Sequence, residues 1–333
     1  MTRHVVFGAG LIGGYVTGVL LSQKRNVGVV ARESVQKKLA AGLQLSDYHG
    51  NKAAVAAPDF VSAESPSADY LWLTVKCTGL DSAIEQLGSL VGPQTRILCC
   101  QNGLGSEQAV KNRYPNNEVL RVMVQFNVVE LEPGKLHRGS EGAITIESRA
   151  GSDHSAQLAA EINCPLLPVH ACDDMVALLW AKLQLNLGNG VNALADIPVK
   201  AMLEQRDFRR SFALLMSELI AVVRAKGIEL PKVTAIPGHL IPKVMSVPNW
   251  VFNILGTKML SVDPTVRTSM WWDLSAGKIT EVHFLNGAVV EAGKEVGVAC
   301  PANEALVRMI VEAENGERER GMSAKDMYRA LAS

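Results

Sequence analysis

Short apolar runs and helical periods alternate through the first half of this chain, and long helical periods fill the second. His4–Phe7, Val27–Val30, Asp69–Val75 and Arg96–Cys100 are compact apolar runs with the texture of buried strands. Leu11–Leu21 and Leu80–Leu90 read as helices between them. Leu43–Ala56 is a polar-broken hairpin turning at His49-Gly50-Asn51. Val119–Val129 and Ala143–Glu147 read as extended with a turn at Pro133-Gly134, Ser152–Ile162 as a helix and Leu166–Val169 as a short strand. From Met175 the pattern becomes helical over Met175–Asn189, Arg206–Lys226, Ser269–Ala276, Thr280–Val296 and Asn303–Asn315. This predicts two domains, an α/β domain with a mostly parallel sheet over 1–172 and an all-helical domain over 173–333. A chain of 333 residues exceeds what one core usually serves. Between Gly227 and Pro264, five prolines predict an irregular excursion with short helical pieces at most. Its apolar patches around Trp250-Val251-Phe252 and Met259-Leu260 need a cover, either the sheet domain or a second subunit in a homodimer.

The first strand runs directly into Gly8-Ala9-Gly10-Leu11-Ile12-Gly13, a Gly-x-Gly-x-x-Gly turn that opens a helix. Gly8 permits the tight turn, Gly10 lets the backbone approach a pyrophosphate, and Gly13 lets helix and strand pack closely. Phosphates would sit at the helix N-terminus, where free N–H groups and the dipole favour an anion. Arg32 follows the second strand, where an arginine matches an adenosine 2′-phosphate and an acidic residue the 2′-hydroxyl; Glu33 beside it keeps both cofactors open. Ligands of open α/β sheets bind outside the carboxyl ends of the strands, and Lys76 and Asn102 occupy two such ends.

Composition excludes more than it selects. The chain has 33 basic and 33 acidic residues and neither a basic nor an acidic tail, so nothing recommends a nucleic-acid or anionic-membrane partner. No uninterrupted apolar run is long enough to cross a bilayer, and no leader with an apolar core and a cleavage site is read at the N-terminus. The six cysteines are scattered without a C-x-x-C pair, which suits a reducing cytoplasm, and neither they nor the seven histidines fall at metal-ligand spacing.

In the helical half, Lys182 and Asn186 are four apart and share a face of a leucine-rich helix. A lysine so placed either snorkels to the surface or lines a cleft. Glu218 lies among leucines. Glu281 reads equally as a first-turn carboxylate satisfying a helix end and as a catalytic group, and Ser269 equally as a helix start.

Together these residues resemble the ketopantoate reductase (2-dehydropantoate 2-reductase) family. The likeness rests on Gly8–Gly13, Thr74-Val75-Lys76, Gln101-Asn102-Gly103-Leu104-Gly105, Trp180–Asn186, and Ser269-Met270 with Asp273-Leu274 followed by Gly277-Lys278 and Thr280-Glu281. It implies a Rossmann domain joined to a helical domain like that of the 6-phosphogluconate dehydrogenases, with the active site between them. It also implies a cytoplasmic enzyme that reduces the ketone of 2-dehydropantoate with NADPH, on the route to pantothenate. Lys182 would be the proton donor and Glu281 its acidic partner. Lys76 and Asn102 would line the nicotinamide end, with Lys76 also offered to substrate. Asn186, Ser269 and Glu218 would bind substrate, Glu218 as a second acidic position of the helical domain. The chain departs from the family pattern at Gly190 and Val266, where asparagines are usual, and its 227–264 excursion is longer than in compact members.

The chemistry asks for these residue types independently. Hydride addition to a 2-oxo carbon develops negative charge on oxygen, and a lysine beside it can stabilise the charge and release a proton. A carboxylate near that lysine holds the ammonium in place and favours its charged form. A reductase of another 2-oxo or 2-hydroxy acid fits the same residues. A non-catalytic dinucleotide-binding protein would keep the glycines but has no reason to carry Lys182, Glu281 and Ser269 together.

Overall fold

The computed structural model describes residues 2–256 and 264–333 and divides into two compact units, Met1–Met175 and Val176–Ser333. Met259 and Leu260, singled out above as apolar residues in need of cover, lie outside the described residues. No helix among the described residues is long and apolar enough to cross a membrane.

Among the described residues the first unit carries twelve strands in two sheets: β1 (Arg3–Phe7), β2 (Asn26–Val30), β3 (Leu43–Asp47), β4 (Lys52–Val55), β5 (Asp59–Phe60), β6 (Tyr70–Leu73), β7 (Arg96–Cys99), β8 (Val119–Val124), β9 (Val128–Glu132), β10 (Lys135–Arg138), β11 (Ile144–Glu147) and β12 (Val169–Cys172). The larger sheet runs β12-β11-β8-β7-β6-β1-β2-β5. Its pairs are parallel except β11 with β8, which are antiparallel. The chain moves from β1 to β2 on one side and later returns to β6 on the other. The order therefore reverses at β1/β6, the switch point at which α/β sheets bind ligands.

The smaller sheet, β4-β3-β10-β9, was not legible as a sheet of its own. The hairpin at residues 43–56 forms as expected, and Pro133-Gly134 turns β9 into β10, but β10 then pairs in parallel with β3. The helix Leu11–Ser22 lies between the two sheets, which accounts for its being apolar all round. A Cβ on Gly18 would come within 2.8 Å of the Leu45 side chain from β3. A fully buried ion pair joins β3 to β10 within the smaller sheet: Arg138 Nη2 meets Asp47 Oδ2 at 3.1 Å, and the same nitrogen donates to the Pro165 carbonyl outside it. Burial alone would push the Asp47 carboxyl up, but hydrogen bonds from Asn51 and the Arg138 charge outweigh it and hold it below the usual range.

Several boundaries differ from the expectations, each for a local reason. The helix expected through Leu90 stops at Glu85, because Ser89 N–H donates to the Ala63 carbonyl and leaves the helical ladder. The last strand is Val169–Cys172 rather than 166–169, since Cys164 and Leu167 bridge each other and the Leu166 carbonyl accepts from the Tyr15 hydroxyl.

The second unit is built on the helix Arg206–Ala225, against which Ile241–Ser246, Asn286–Val296, Pro301–Glu314 and Ala324–Ala332 pack. The expected helix 175–189 is two, Met175–Asn186 and Asn189–Ala195. They break where Gly188 lies against the Phe212 ring, with no room for a side chain. Residues 280–285 are not an α-helix as expected. A 3₁₀ turn spans Val282–Phe284, and the α-helix begins only at Asn286. The excursion after Gly227 carries short helical pieces, Ile241–Ser246 and Asn249–Leu255. Arg209, fully buried, anchors it by donating to the carbonyls of Leu203, Met245 and Val247 and to Asn249 Oδ1, with its guanidinium 4.1 Å from the Phe252 ring centre. Phe252 is thus covered within its own unit, while Trp250 and Ile254 are exposed.

Candidate functional site

At the end of β1 the backbone turns through Gly8, whose φ of +101° no side chain adopts comfortably, and a Cβ there would lie 2.7 Å from Val75. Gly10 N–H donates to the Gly8 carbonyl at 2.9 Å, and Gly10 caps the helix without a side-chain bond. A Cβ on Gly13 would collide with the Gly8 carbonyl and the Thr74 hydroxyl, so helix and strand approach as the motif requires. A Cβ on Gly10 would meet nothing within 4 Å. That open backbone before a helix N-terminus fits the pyrophosphate of a dinucleotide, whose nearest protein groups would be Gly8, Ala9, Gly10, Leu11, Ile12 and Gly13.

Two loops at the neighbouring strand ends are clipped to each other. Gln101 is buried, and its amide donates to the carbonyls of Leu73 at 2.9 Å and Val75 at 3.0 Å, holding the loop after β7 against the loop after β6. Cys77 Sγ donates to the Asn102 carbonyl at 3.1 Å. Lys76 is exposed and Asn102 half-buried within this pair of loops. The sequence drew attention to Lys76 and Asn102; the residue that fixes their spacing is Gln101. Arg32 is exposed two residues past β2, at the N-terminal end of the helix Glu33–Leu39, and its side chain makes no hydrogen bond or ion pair among the described residues. Glu33, the competing acidic residue, pairs instead with Lys37 of its own helix at 2.8 Å.

In the helical unit, Lys182 and Asn186 lie half-buried on the helix Met175–Asn186. Glu281 is buried at the start of the turn before Asn286 and its side chain does not cap that turn; Thr280 Oγ1 accepts from Val282 N–H there at 3.2 Å. The cap reading of Glu281 is thereby removed. Ser269 is likewise not a cap. Thr268 caps its helix, accepting from Trp271 N–H, while Thr268 N–H donates to Asn192 Oδ1 at 3.1 Å. This leaves Ser269 exposed on the first turn.

Glu218 requires a correction. Both of its carboxylate oxygens are taken up by the N-terminus of the helix Pro301–Glu314, accepting from Ala302 N–H at 2.7 Å, Asn303 N–H at 2.9 Å and Asn303 Nδ2 at 2.7 Å. A carboxylate so engaged is accounted for by the helix end and has no need of a substrate. Asn286 and Asn303, both fully buried, went unremarked in the sequence. Amides at the apolar start of two helices were the available signal. The asparagine-to-glycine departure at Gly190 is also explained, since Leu306 and Ile310 pack within 3.0 and 3.4 Å of where its Cβ would be. Among the described residues no group of three or more His, Cys, Asp or Glu could hold a metal ion.

A mostly parallel sheet with a glycine turn at its switch point, followed by a helical unit, is the frame of a dinucleotide-binding protein. Comparison with known proteins narrows it. Residues 4–151 match the family model described as ketopantoate reductase PanE/ApbA, and residues 174–314 match its C-terminal counterpart. The chain belongs to the ketopantoate reductase family, which makes it an NAD(P)(H)-binding oxidoreductase of the ketone or hydroxyl group of small organic acids. The 2-dehydropantoate 2-reductase of Caulobacter vibrioides is 25% identical over 93% of this chain and 98% of its own. The crystal structure of a PanE/ApbA family ketopantoate reductase from Ralstonia eutropha JMP134 superposes with a TM-score of 0.79 at 25% identity, over 95% of this chain and 99% of that one. The ternary structure of D-mandelate dehydrogenase with NADH and anilino(oxo)acetate shares the fold, with a TM-score of 0.78 at 20% identity, over 95% and 99% of the two chains.

Proposed function

We propose that this chain reduces the ketone of 2-dehydropantoate to (R)-pantoate with NADPH. Bound NADPH supplies the hydride. Lys182 stabilises the oxyanion that develops on the ketone and gives it a proton, and Glu281 holds the ammonium in place. Asn186 and Ser269 donate to the substrate carboxylate, and Lys76 and Asn102 serve the nicotinamide end. Arg32 reads the 2′-phosphate, which its exposure supports while Glu33 is engaged with Lys37. The observation that carries the reading is that the helical unit of this family fold holds Lys182 half-buried on Met175–Asn186 and Glu281 buried at the turn before Asn286. A carboxylate spends burial energy only where a partner repays it.

A second reading has its own support. Gly190 packs against Leu306 and Ile310, and Val266 is partly exposed, so neither position offers an amide for a substrate hydroxyl. This favours a 2-oxo acid with a less polar substituent than 2-dehydropantoate. NADPH oxidation with 2-dehydropantoate, a branched aliphatic 2-oxo acid and an aryl 2-oxo acid separates the two. A higher kcat/KM for 2-dehydropantoate is expected, and preference for either of the others overturns it in favour of the second reading. No turnover with any of them would remove the reductase assignment.

A further inference from the structure

The turn that bears Glu281 and the helix that bears Lys182 are fastened to one another through buried amides. Asn286 Nδ2 donates to the Leu187 carbonyl at 3.3 Å, just past the end of the Lys182 helix, and to Asn303 Oδ1 at 2.9 Å. Asn303 Nδ2 in turn donates to Glu218 Oε2 at 2.7 Å and to the Leu215 carbonyl at 3.2 Å. The chain has one polarity. An ionised carboxylate only accepts, so Glu218 obliges Asn303 to present its NH₂ there and its oxygen to Asn286. Asn286 must then present its own NH₂ to both Asn303 and Leu187. Turning either amide over would set oxygen against oxygen or NH₂ against NH₂ at two fully buried residues.

Between Asn286 and Glu281 there is one tight turn, in which the Glu281 carbonyl accepts from Phe284 N–H at 3.0 Å and Leu285 N–H at 3.1 Å. The far side of that turn is held as well, because Thr280 N–H donates to Glu314 Oε1 at 2.7 Å. Asn303 and Glu314 lie near opposite ends of the helix Pro301–Glu314. That helix therefore braces the Glu281 turn at two points, and one of them continues to Leu187.

We infer that Glu218, Asn303 and Asn286 are positioning residues that set the register between the Glu281 turn and the Lys182 helix. The inference rests on the reading of Lys182 and Glu281 given above. It assigns Glu218 an indirect part, through the orientation of two amides. Misplacement of a catalytic pair by a fraction of an ångström to an ångström is costly, so Asn303→Ala should lower kcat by about 10- to 100-fold. The KM for NADPH should stay within about twofold, since the proposal involves none of the residues assigned to the cofactor.

A loss of stability alone would not reproduce two further results. With Glu281 displaced, the Lys182 ammonium loses its favourable neighbour, and the basic limb of the kcat–pH profile moves to lower pH. In a Glu281→Ala background, Asn303→Ala should cost no more than about twofold further, because it acts through Glu281. The measurement is NADPH oxidation with whichever 2-oxo acid the panel above turns over. Glu314→Ala, at the half-buried other end of the brace, serves if Asn303→Ala does not fold, with a loss of about three- to tenfold and the same shift of the basic limb. Parental kcat in the variant measured, or an undiminished loss in the Glu281→Ala background, overturns the proposal. Lys182→Ala measured in parallel keeps the two levels apart: near-parental turnover there overturns the catalytic reading itself.

Discussion

The two units hold their candidate functional groups by different means. In the sheet unit, backbone geometry sets the positions: Gly8 turns at positive φ, Gly13 allows close approach, and Lys76 and Asn102 follow strands in register with β1. In the helical unit, side chains set them. Glu281 starts a 3₁₀ turn braced by Glu314 and Asn286, and Thr268 and Asn192 fix the helix that begins with Ser269. A backbone site depends on a few obligatory residues near one another in sequence. A side-chain site depends on partners up to about a hundred residues away, such as Leu187 and Asn286. Damage to the first should therefore register in cofactor binding, and damage to the second in turnover.

The largest expected effect tests the second half of that contrast. Lys182→Ala should lower kcat by about 10²- to 10⁴-fold, the range for loss of one positioned proton donor, with the Kd for NADPH unchanged by fluorescence titration. A comparable weakening of NADPH binding would erase the division of labour.

Acid should act first on the sheet unit. His4 is fully buried in β1, accepts from Trp72 Nε1 at 3.3 Å, and has its pKa lowered to about 4, chiefly by burial and then by the Arg25 charge, against an unfolded value of 6.5. The unfolded chain thus binds the proton more readily. The stability of the neutral form is complete above about pH 6.5 and is lost as pH falls toward about 4, by about 3 kcal/mol in all. Urea unfolding at about pH 7 and about pH 4.5 should show this loss, and His4→Phe should remove most of it. An equal loss in both proteins would mean that His4 is not its source.

Gly8→Ala should destabilise by about 2 kcal/mol, from a strained positive φ and the contact with Val75, and should weaken NADPH binding about tenfold while kcat at saturating NADPH stays near parental. A fall in kcat with unaltered NADPH affinity would contradict the backbone role.

Neighbouring residues give the smallest pair of effects. Arg32→Ala should raise the KM for NADPH about tenfold and leave that for NADH alone, as expected for one lost charge-assisted bond. Glu33→Ala should change neither by more than about twofold, since its pair with Lys37 is exposed on both sides. Parallel losses with both cofactors would show that Arg32 does not read the 2′-phosphate.

The same contrast explains what could be read from the chain alone. The glycine turn, the strands that end before Lys76 and Asn102, and the helical second half follow from local pattern, and the structure has each of them. The smaller sheet was hidden because β10 pairs with β3, which no local pattern reveals. Glu218 was legible as a charge among leucines, but its partners Ala302 and Asn303 lie more than eighty positions on, and without them a helix-end carboxylate looks like a site residue. Glu281 reads equally as a helix cap and as a catalytic group from the sequence because residues 282–284 have helical composition, whereas the chain there is held by Glu314 and Asn286.

The parallel pairing of β3 with β10 also sets a timetable for the nascent chain. Asp47 and Arg138 are 91 positions apart, so at about 5–20 residues per second β3 and β4 wait roughly 5–20 s on the ribosome for their partner strand and counter-ion. Throughout that interval the open edge of β3 and the buried-to-be carboxylate of Asp47 are exposed to other chains. Slow codons between residues 47 and 138 would prolong the exposure.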